Sequence, residues 1–485
     1  MTFTATSSAI VIGLTGYVIR IEADLSPGLP GFHLVGLPDS TIAETRDRIR
    51  TAIVNSGWDW PQERITVTVL PADVPKYTSG LDLAIAVAIL AADGKISPER
   101  VADTAFLGEL GLDGTVRHVR GLSCAIASVV ASGVRGVAIP AVDADQSTRC
   151  VTIPAASLAD LVAHLNRDAP ITGTTPRDEE ASPPDLADLR GNHDARLAVE
   201  VSAAGGHHLL LVGDGPATML AERLPGILPA LDEATAAQVE KIYALTVTQR
   251  RSRRPPLCTP HYTNTVAAIF GCRVSGLVRP GAVSLAHAGV LFLDQAPEYP
   301  RSVLDGLCRP LETGEIIIAD WDGIICLPAS FQLLLATPPC PCATGTCRCR
   351  PVERRRYLNR LSSLGTRIDI SAPIEPITWD AQPGESSRTV ADRVAEARSR
   401  ATHRLGGSPW KTNAQIPATE LRTSYRLNPE ALKPLEDQLC SGALTPRALA
   451  RILRVTWTLA DLRATDRPTG DDVREALRLW KGTPA

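Results

Sequence analysis

The stretch 205–221, which reads GGHHLLLVGDGPATMLA, constrains this chain more than any other. His208 to Val212 is an apolar run of the kind a buried parallel strand requires. A short Gly-containing loop follows it, and from Met219 to Leu224 the pattern turns helical. Strand, glycine loop and helix in that order is the layout of a phosphate-binding P-loop. The pattern G-x-x-x-x-G-K-[ST] calls for a Gly-Lys pair before the hydroxyl residue, and none precedes Thr218. Layout and chemistry disagree.

The 485 residues around this stretch have room for two or three domains. A net charge of −3 excludes a wholesale polyanion binder and leaves room for local basic patches. The longest apolar run, Leu83 to Ala92, is too short for a membrane span. Residues 1–15 show no basic start and no cleavage pattern, so a cytoplasmic protein is expected, with its eleven cysteines reduced.

Residues 1–168 read as one α/β unit. Ile10 to Leu14 and Val18 to Leu25 are strands, the second alternating Ile19, Ile21, Ala23 and Leu25 with Arg20, Glu22 and Asp24. Asp39-Ser40-Thr41 can cap a helix running to about Ser56, and Ile65 to Leu70 is a β-branched strand. Leu81 to Ala92, Gly121 to Ala131 and Leu158 to Leu165 read as helices, with a short strand from Gly136 to Ile139. Residues 169–188 are polar and Pro-rich, a linker composition.

Several motifs in this unit resemble the N-terminal domain of the ComM/YifB family of Mg-chelatase-like AAA+ proteins. They are Gly31-Phe32-His33-Leu34-Val35-Gly36-Leu37-Pro38-Asp39, Arg46-Asp47-Arg48-Ile49-Arg50, and Leu70-Pro71-Ala72-Asp73 with Pro75-Lys76. The resemblance continues through Leu224-Pro225-Gly226, Pro260-His261-Tyr262-Thr263, Arg279-Pro280-Gly281, Arg309-Pro310-Leu311-Glu312-Thr313-Gly314 and Arg356-Tyr357-Leu358-Asn359-Arg360. It implies a Lon-protease-like, ribosomal-S5-like α/β domain over 1–168 and an AAA+ P-loop core with a parallel sheet over 189–375. A helical C-terminal lid would occupy 376–485. It also raises a Ser-Lys protease reading, with Ser79 and either Lys76 or Lys95. Spacing in a loop gives that reading no nucleophile–base geometry, and a shared fold does not carry activity with it.

The family binds ATP with Mg²⁺, and the resemblance assigns roles on that basis. Gly213, Asp214, Gly215 and Thr218 stand at the phosphate loop, two residues shorter than the family's G-P-P-G-S-G-K-T and without its lysine. Asp294 stands at the Walker B metal position. The next residue, Gln295, replaces the glutamate that activates water, and an amide cannot take the proton. General-base catalysis typically contributes on the order of 10²–10⁴-fold. Pro338 falls where the family has a sensor asparagine, and Arg367 is the candidate arginine finger in a shortened segment. Arg447 would be the sensor-2 arginine, or simply an arginine solvating its helix. Four altered elements together point to a weakly hydrolysing or non-hydrolysing member.

Cys340-Pro341-Cys342 and Cys347-Arg348-Cys349 place four thiols within ten residues. Tetrathiolate Zn²⁺ suits such soft ligands, although C-x-C is tighter than the favoured C-x₂₋₄-C, and four free thiols remain the alternative. Basic runs at Arg250-Arg251-Ser252-Arg253-Arg254 and from Arg348 to Arg360 could meet phosphates, line a solvated loop or join subunits. Two functions stay open on the sequence. One is a scaffold or regulator joining a ring, expected to be a hexamer, with itself or an active relative in DNA uptake or recombination. The other is an active ATP-driven DNA-translocating or branch-migration ring.

Overall fold

A computed structural model of the chain describes residues 2–76, 79–144, 151–167, 182–246, 250, 252–274, 276–320, 323–342, 347–377, 382–440, 442 and 444–481. Most of the linker expected at 169–188 lies outside the described residues. Its last part does not: Leu186 is buried in the core of the C-terminal half, and the Arg223 guanidinium donates to the Asp185 carbonyl at 2.6 Å. Residues 185–188 therefore pack as part of that half, which corrects the boundary expected from composition.

The N-terminal half begins with β1 (Thr2–Ile12) and β2 (Thr15–Ser26), an antiparallel pair in register from Thr2 opposite Leu25 to Ile12 opposite Thr15. Gly13, with φ +62°, supplies the left-handed conformation that so tight a turn needs. The alternation in β2 is real: Ile19, Ile21, Ala23 and Leu25 are buried. Next come β3 (Gly31–Val35), α1 (Asp39–Asn55), β4 (Arg64–Leu70), α2 (Asp82–Ala92), β5 (Thr104–Phe106), α3 (Leu122–Ala131), β6 (Gly136–Pro140), β7 (Val151–Ala155) and α4 (Leu158–Arg167). The seven strands form one sheet in the order β3-β4-β2-β1-β5-β6-β7. All eleven residues of α2 are buried, ten of them apolar and the first, Asp82, ion-paired to Arg48, and the helix packs on β1 and β2. Asp39-Ser40-Thr41 does not cap α1. The cap position is Pro38, without a side-chain bond, and the Thr41 hydroxyl instead donates back to the Pro38 carbonyl at 2.8 Å.

The C-terminal half runs α5 (His193–Gly205), β8 (Leu209–Val212), α6 (Ala217–Ile227), α7 (Glu233–Ala244), β9 (Leu257–Cys258), β10 (Val290–Leu293), a hairpin of β11 (Glu315–Asp320) and β12 (Gly323–Pro328), then β13 (Gln332–Thr337), α8 (Pro351–Leu358) and β14 (Ile370–Pro373). Helices α9 (Ser387–Arg404), α10 (Pro429–Cys440), α11 (Pro446–Leu462) and α12 (Gly470–Lys481) close it. Five strands form a parallel sheet in the order β9-β10-β13-β8-β14. Numbered along the chain, that order is second, third, fourth, first, fifth. The first strand thus lies inside the sheet, flanked by the fourth and fifth, and its outgoing loop opens at a switch in strand order.

Burial on both faces explains why these strands read as unbroken apolar runs. Leu209, Leu211, Val290, Phe292, Leu334 and Ala336 face one layer, which holds α5, α6, α9 and α11. Leu210, Val212, Leu291, Leu293, Leu333 and Leu335 face the other. The C-terminal helices therefore share a core with the sheet and with the helices flanking β8. Ion pairs from Arg393 to Glu200 and Glu385, each at 2.7 Å, tie α9 to α5.

Candidate functional site

The carboxyl end of the parallel sheet gathers most of the residues expected to handle nucleotide. Gly213 to Pro216 link β8 to α6, Asp294 and Gln295 follow β10, and Pro338 follows β13. β13 lies between β8 and β10, which brings these three segments side by side.

The loop after β8 is packed closely against the chain leaving β14. A Cβ added at Gly213, with φ +148°, would stand 1.9 Å from the Ile374 carbonyl oxygen. One at Gly215 would stand 2.5 Å from that of Glu375. Glycine is required at both places by the close approach of backbone. Phosphate cradles are built from free backbone N–H groups. Here the Gly213 N–H donates to the Thr337 carbonyl at 2.9 Å, and the Ala217 N–H to the Gly215 carbonyl at 2.9 Å. Pro216 has no N–H to offer. Among positions 213–218, that leaves Asp214, Gly215 and Thr218. No lysine occurs between Lys95 and Lys241, so the loop brings no ammonium either. The residues present do not fit the triphosphate of Mg-ATP.

After β10, Asp294 and Gln295 are both exposed. Gln295 sits in the left-handed region at φ +49°, and its N–H donates to its neighbour's Asp294 Oδ1 at 2.9 Å. Glu298 lies one turn on, and the Tyr357 phenol of α8 interacts electrostatically with it near Thr337, at the end of β13. This Tyr357 contact joins three segments at the sheet edge, and no local sequence signal marks it.

Arg367 and Arg447 lie elsewhere. Together with His208, Glu312, Asp369 and Arg454 they line a polar cavity of about 440 Å³. His208 precedes β8 and Asp369 precedes β14, so this cavity opens at the amino end of the sheet. From His208 to Gly213 the chain advances about 16 Å at roughly 3.3 Å per residue. Arg447 is thus not brought to the loop of its own chain, contrary to the expectation for a sensor-2 arginine acting in place. Arg367 is held down by its own chain, ion-paired to Glu312 and donating to the Ser363 carbonyl at 3.0 Å. Beneath them, His207 is fully buried, with Nδ1 3.0 Å from Asp369 and Nε2 2.8 Å from the Thr458 hydroxyl. His208 accepts the Leu333 N–H on Nδ1 at 3.0 Å, and burial pushes its pKa down against the opposing pull of Asp369.

The four cysteines do converge. The Sγ atoms of Cys340, Cys342, Cys347 and Cys349 all lie within 4.8 Å of one another, with Cys340 and Cys342 at 3.0 Å. The Cys349 N–H points at Cys347 Sγ at 3.4 Å, and the Cys342 N–H bonds Cys340 in the same way. Arg354 lies beside Cys347, and the two attract electrostatically. Four thiols at these separations match a tetrahedral set, in which metal–sulfur bonds of about 2.3 Å place the sulfurs about 3.8 Å apart.

The two basic runs part company. In the first, the Arg250 guanidinium lies 5.8 Å from the Tyr243 ring centroid and donates to the Arg254 carbonyl, and Arg253 donates to the Leu231 carbonyl at 2.9 Å. Arg251 lies outside the described residues. In the second, Arg348, Arg355 and Arg356 are exposed. Lys76 is buried and donates to the Val74 carbonyl at 3.0 Å as well as to Pro71, so its ammonium is committed to backbone. Ser79 instead lines a cavity of about 410 Å³ that also contains His118, whose Nδ1 is 2.9 Å from the buried Asp143. That pair is 25 residues apart, and nothing in the local sequence signals it.

Sheet order, switch-point loop and helical layer define an α/β chain with the layout of a P-loop protein, and comparison with known proteins gives its family. Residues 185–381 match the family described as magnesium chelatase, subunit ChlI, residues 21–143 match subunit ChlI of Mg-chelatase, and 384–479 match the ChlI C-terminal family. An uncharacterized protein of Mycobacterium tuberculosis is 42% identical over 488 residues, covering 97% of each chain. The YifB protein of Escherichia coli is 36% identical over 98% of this chain and 97% of its own length. Competence protein ComM of Haemophilus influenzae is 36% identical over 96% and 95%. The chain belongs to the ComM/YifB family of Mg-chelatase-like AAA+ proteins. No helix among the described residues is long and apolar enough to cross a membrane.

Proposed function

We propose that this protein is a ring subunit of the ComM/YifB type whose nucleotide site no longer supports turnover, and that it scaffolds or regulates DNA uptake or recombination. The observation that carries the reading is the loop after β8. It has no lysine, and three of the six positions 213–218 have no N–H to give to phosphate. Gln295 in place of a carboxylate and Pro338 in place of a sensor amide weigh the same way. The DNA-related role comes from the printed name of the competence relative.

On this reading residues 1–168 form the Lon-related, ribosomal-S5-like domain, 189–375 the AAA+ core and 376–485 the helical lid, here packed against the α5 and α6 face. The N-terminal domain is not a protease, given that Lys76 is committed to carbonyls and Lys95 pairs with Asp93. Arg367 and Arg447, at the end of the sheet away from the loop, serve a neighbouring subunit in the ring, expected to be a hexamer. The resident ligand is a zinc ion on the four thiols rather than Mg-ATP at the loop. The alternative, an active DNA-translocating ring, draws its support from the retained Asp294.

Co-expression with an active relative carrying a different tag, followed by native mass spectrometry, tests the assembly. Mixed rings are the expected product. Rings of each chain alone, with none mixed, would sink the regulatory reading.

A further inference from the structure

The chain from Cys347 to Arg360 carries six arginines against one glutamate, in a protein of net charge −3. It starts inside the thiol cluster and runs straight into α8, which begins two residues after Cys349. Tyr357 of α8 is buried near Thr337, three residues before Cys340. A metal on the four thiols would therefore fasten the start of α8, a basic knob, to the end of β13.

The cage is built for a cation. Both C-x-C turns direct a backbone N–H at the preceding sulfur, the kind of outer contact that orients metal ligands. Arg354, in the first turn of α8, lies beside Cys347. Arg348, Arg355 and Arg356 are exposed and pair with no acid among the described residues. The one aromatic side chain of the segment, Tyr357, is buried, so the surface offers charge and no stacking platform. Guanidinium groups without stacking partners suit phosphate rather than bases.

We propose that the cysteine cage is a zinc-dependent nucleic-acid contact: the metal holds the knob, and Arg348, Arg355 and Arg356 grip the phosphate backbone of a DNA strand. The inference rests on the zinc reading above but not on the state of the nucleotide site.

The test uses the full chain without nucleotide. Elemental analysis should give one zinc per chain, and Cys347→Ser/Cys349→Ser should lose it. Fluorescence anisotropy with a labelled single-stranded oligonucleotide, over a range of KCl, measures the contact. Arg355→Ala/Arg356→Ala should keep its zinc and bind about tenfold or more weakly, with the slope of log K against log salt shallower by about 1.4, roughly 0.7 per lost phosphate contact. The cysteine variant should lose the same affinity, with circular dichroism checking that it is folded. Less than half an equivalent of zinc would overturn the metal site. Full zinc with wild-type affinity and slope in the arginine variant would overturn the surface, leaving the metal site standing. A folded, zinc-free variant that binds DNA normally would overturn the coupling between them.

Discussion

The loop after β8 and the cysteine cage after β13 leave neighbouring strands at the same end of one sheet, yet they differ in what surrounds their polar groups. In the loop, backbone donors that could face a ligand are turned inward to Thr337 and Gly215, and the gap is filled by the chain at Ile374 and Glu375. In the cage, four ligand atoms face one another, with a backbone donor directed at Cys347 and Arg354 beside it. The strands beneath both are equally buried. Apolar packing maintains the scaffold whether or not chemistry is attached to it, so an intact fold is no measure of an intact site.

The largest expected effect concerns the arginines at the opposite end. If Arg367 serves a neighbour, Arg367→Ala should lower phosphate release by an active relative in mixed rings by about 10³-fold, as for other arginine fingers. An unchanged rate would confine Arg367 to its pair with Glu312. Next comes the separation of scaffold from chemistry. Leu211→Ala, in the buried strand beneath the loop, should cost about 2–5 kcal/mol in denaturant unfolding. Thr218→Ala, in the loop itself, should stay within about 0.5 kcal/mol. Similar costs at the two positions would show that the loop is still a structural keystone.

A smaller effect follows from His208. Burial holds its folded-state pKa below 6.5, and its Nδ1 accepts a backbone N–H, so the folded protein keeps it neutral. The unfolded chain takes up that proton first as pH falls. Its stabilising contribution is present above pH 6.5 and is lost below it, at up to about 1.4 kcal/mol per pH unit. His208→Asn keeps an acceptor near Leu333 and should flatten the difference between melting curves at pH 7 and pH 5.5. An equally steep fall in the variant would assign the pH dependence to other groups. The smallest effect is the most pointed. Gln295→Glu alone should leave phosphate release at background, because the loop would still lack its cation. A rise to a working rate would mean that the glutamine was the sole defect.

Much of this was legible in the sequence where one local rule decides the outcome. The alternation from Ile19 to Leu25 marked β2, and the apolar run before Gly213 marked the central strand. The spacing of four cysteines marked the cage. What failed to show depends on contacts between distant segments. Asp39-Ser40-Thr41 looked like a cap, but Pro38 already fixes the start of α1. Arg447 looked like a sensor for its own loop, because sequence does not say which end of the sheet α11 crosses. The arginines of 250–254 and those of 348–356 read alike as basic runs. Their partners tell them apart: Tyr243 and backbone carbonyls for Arg250 and Arg253, and no acid among the described residues for Arg348, Arg355 and Arg356.

The central claim is that the loop between Gly213 and Thr218 is a phosphate site in layout only. Calorimetric titration of the purified chain with Mg-ATP, run alongside a phosphate-release assay, tests it most directly. The account predicts no saturable heat at millimolar nucleotide and release indistinguishable from a protein-free blank. A dissociation constant of about 1 μM with turnover of about 1 s⁻¹ or faster, as working phosphoryl-transfer enzymes reach, would contradict it.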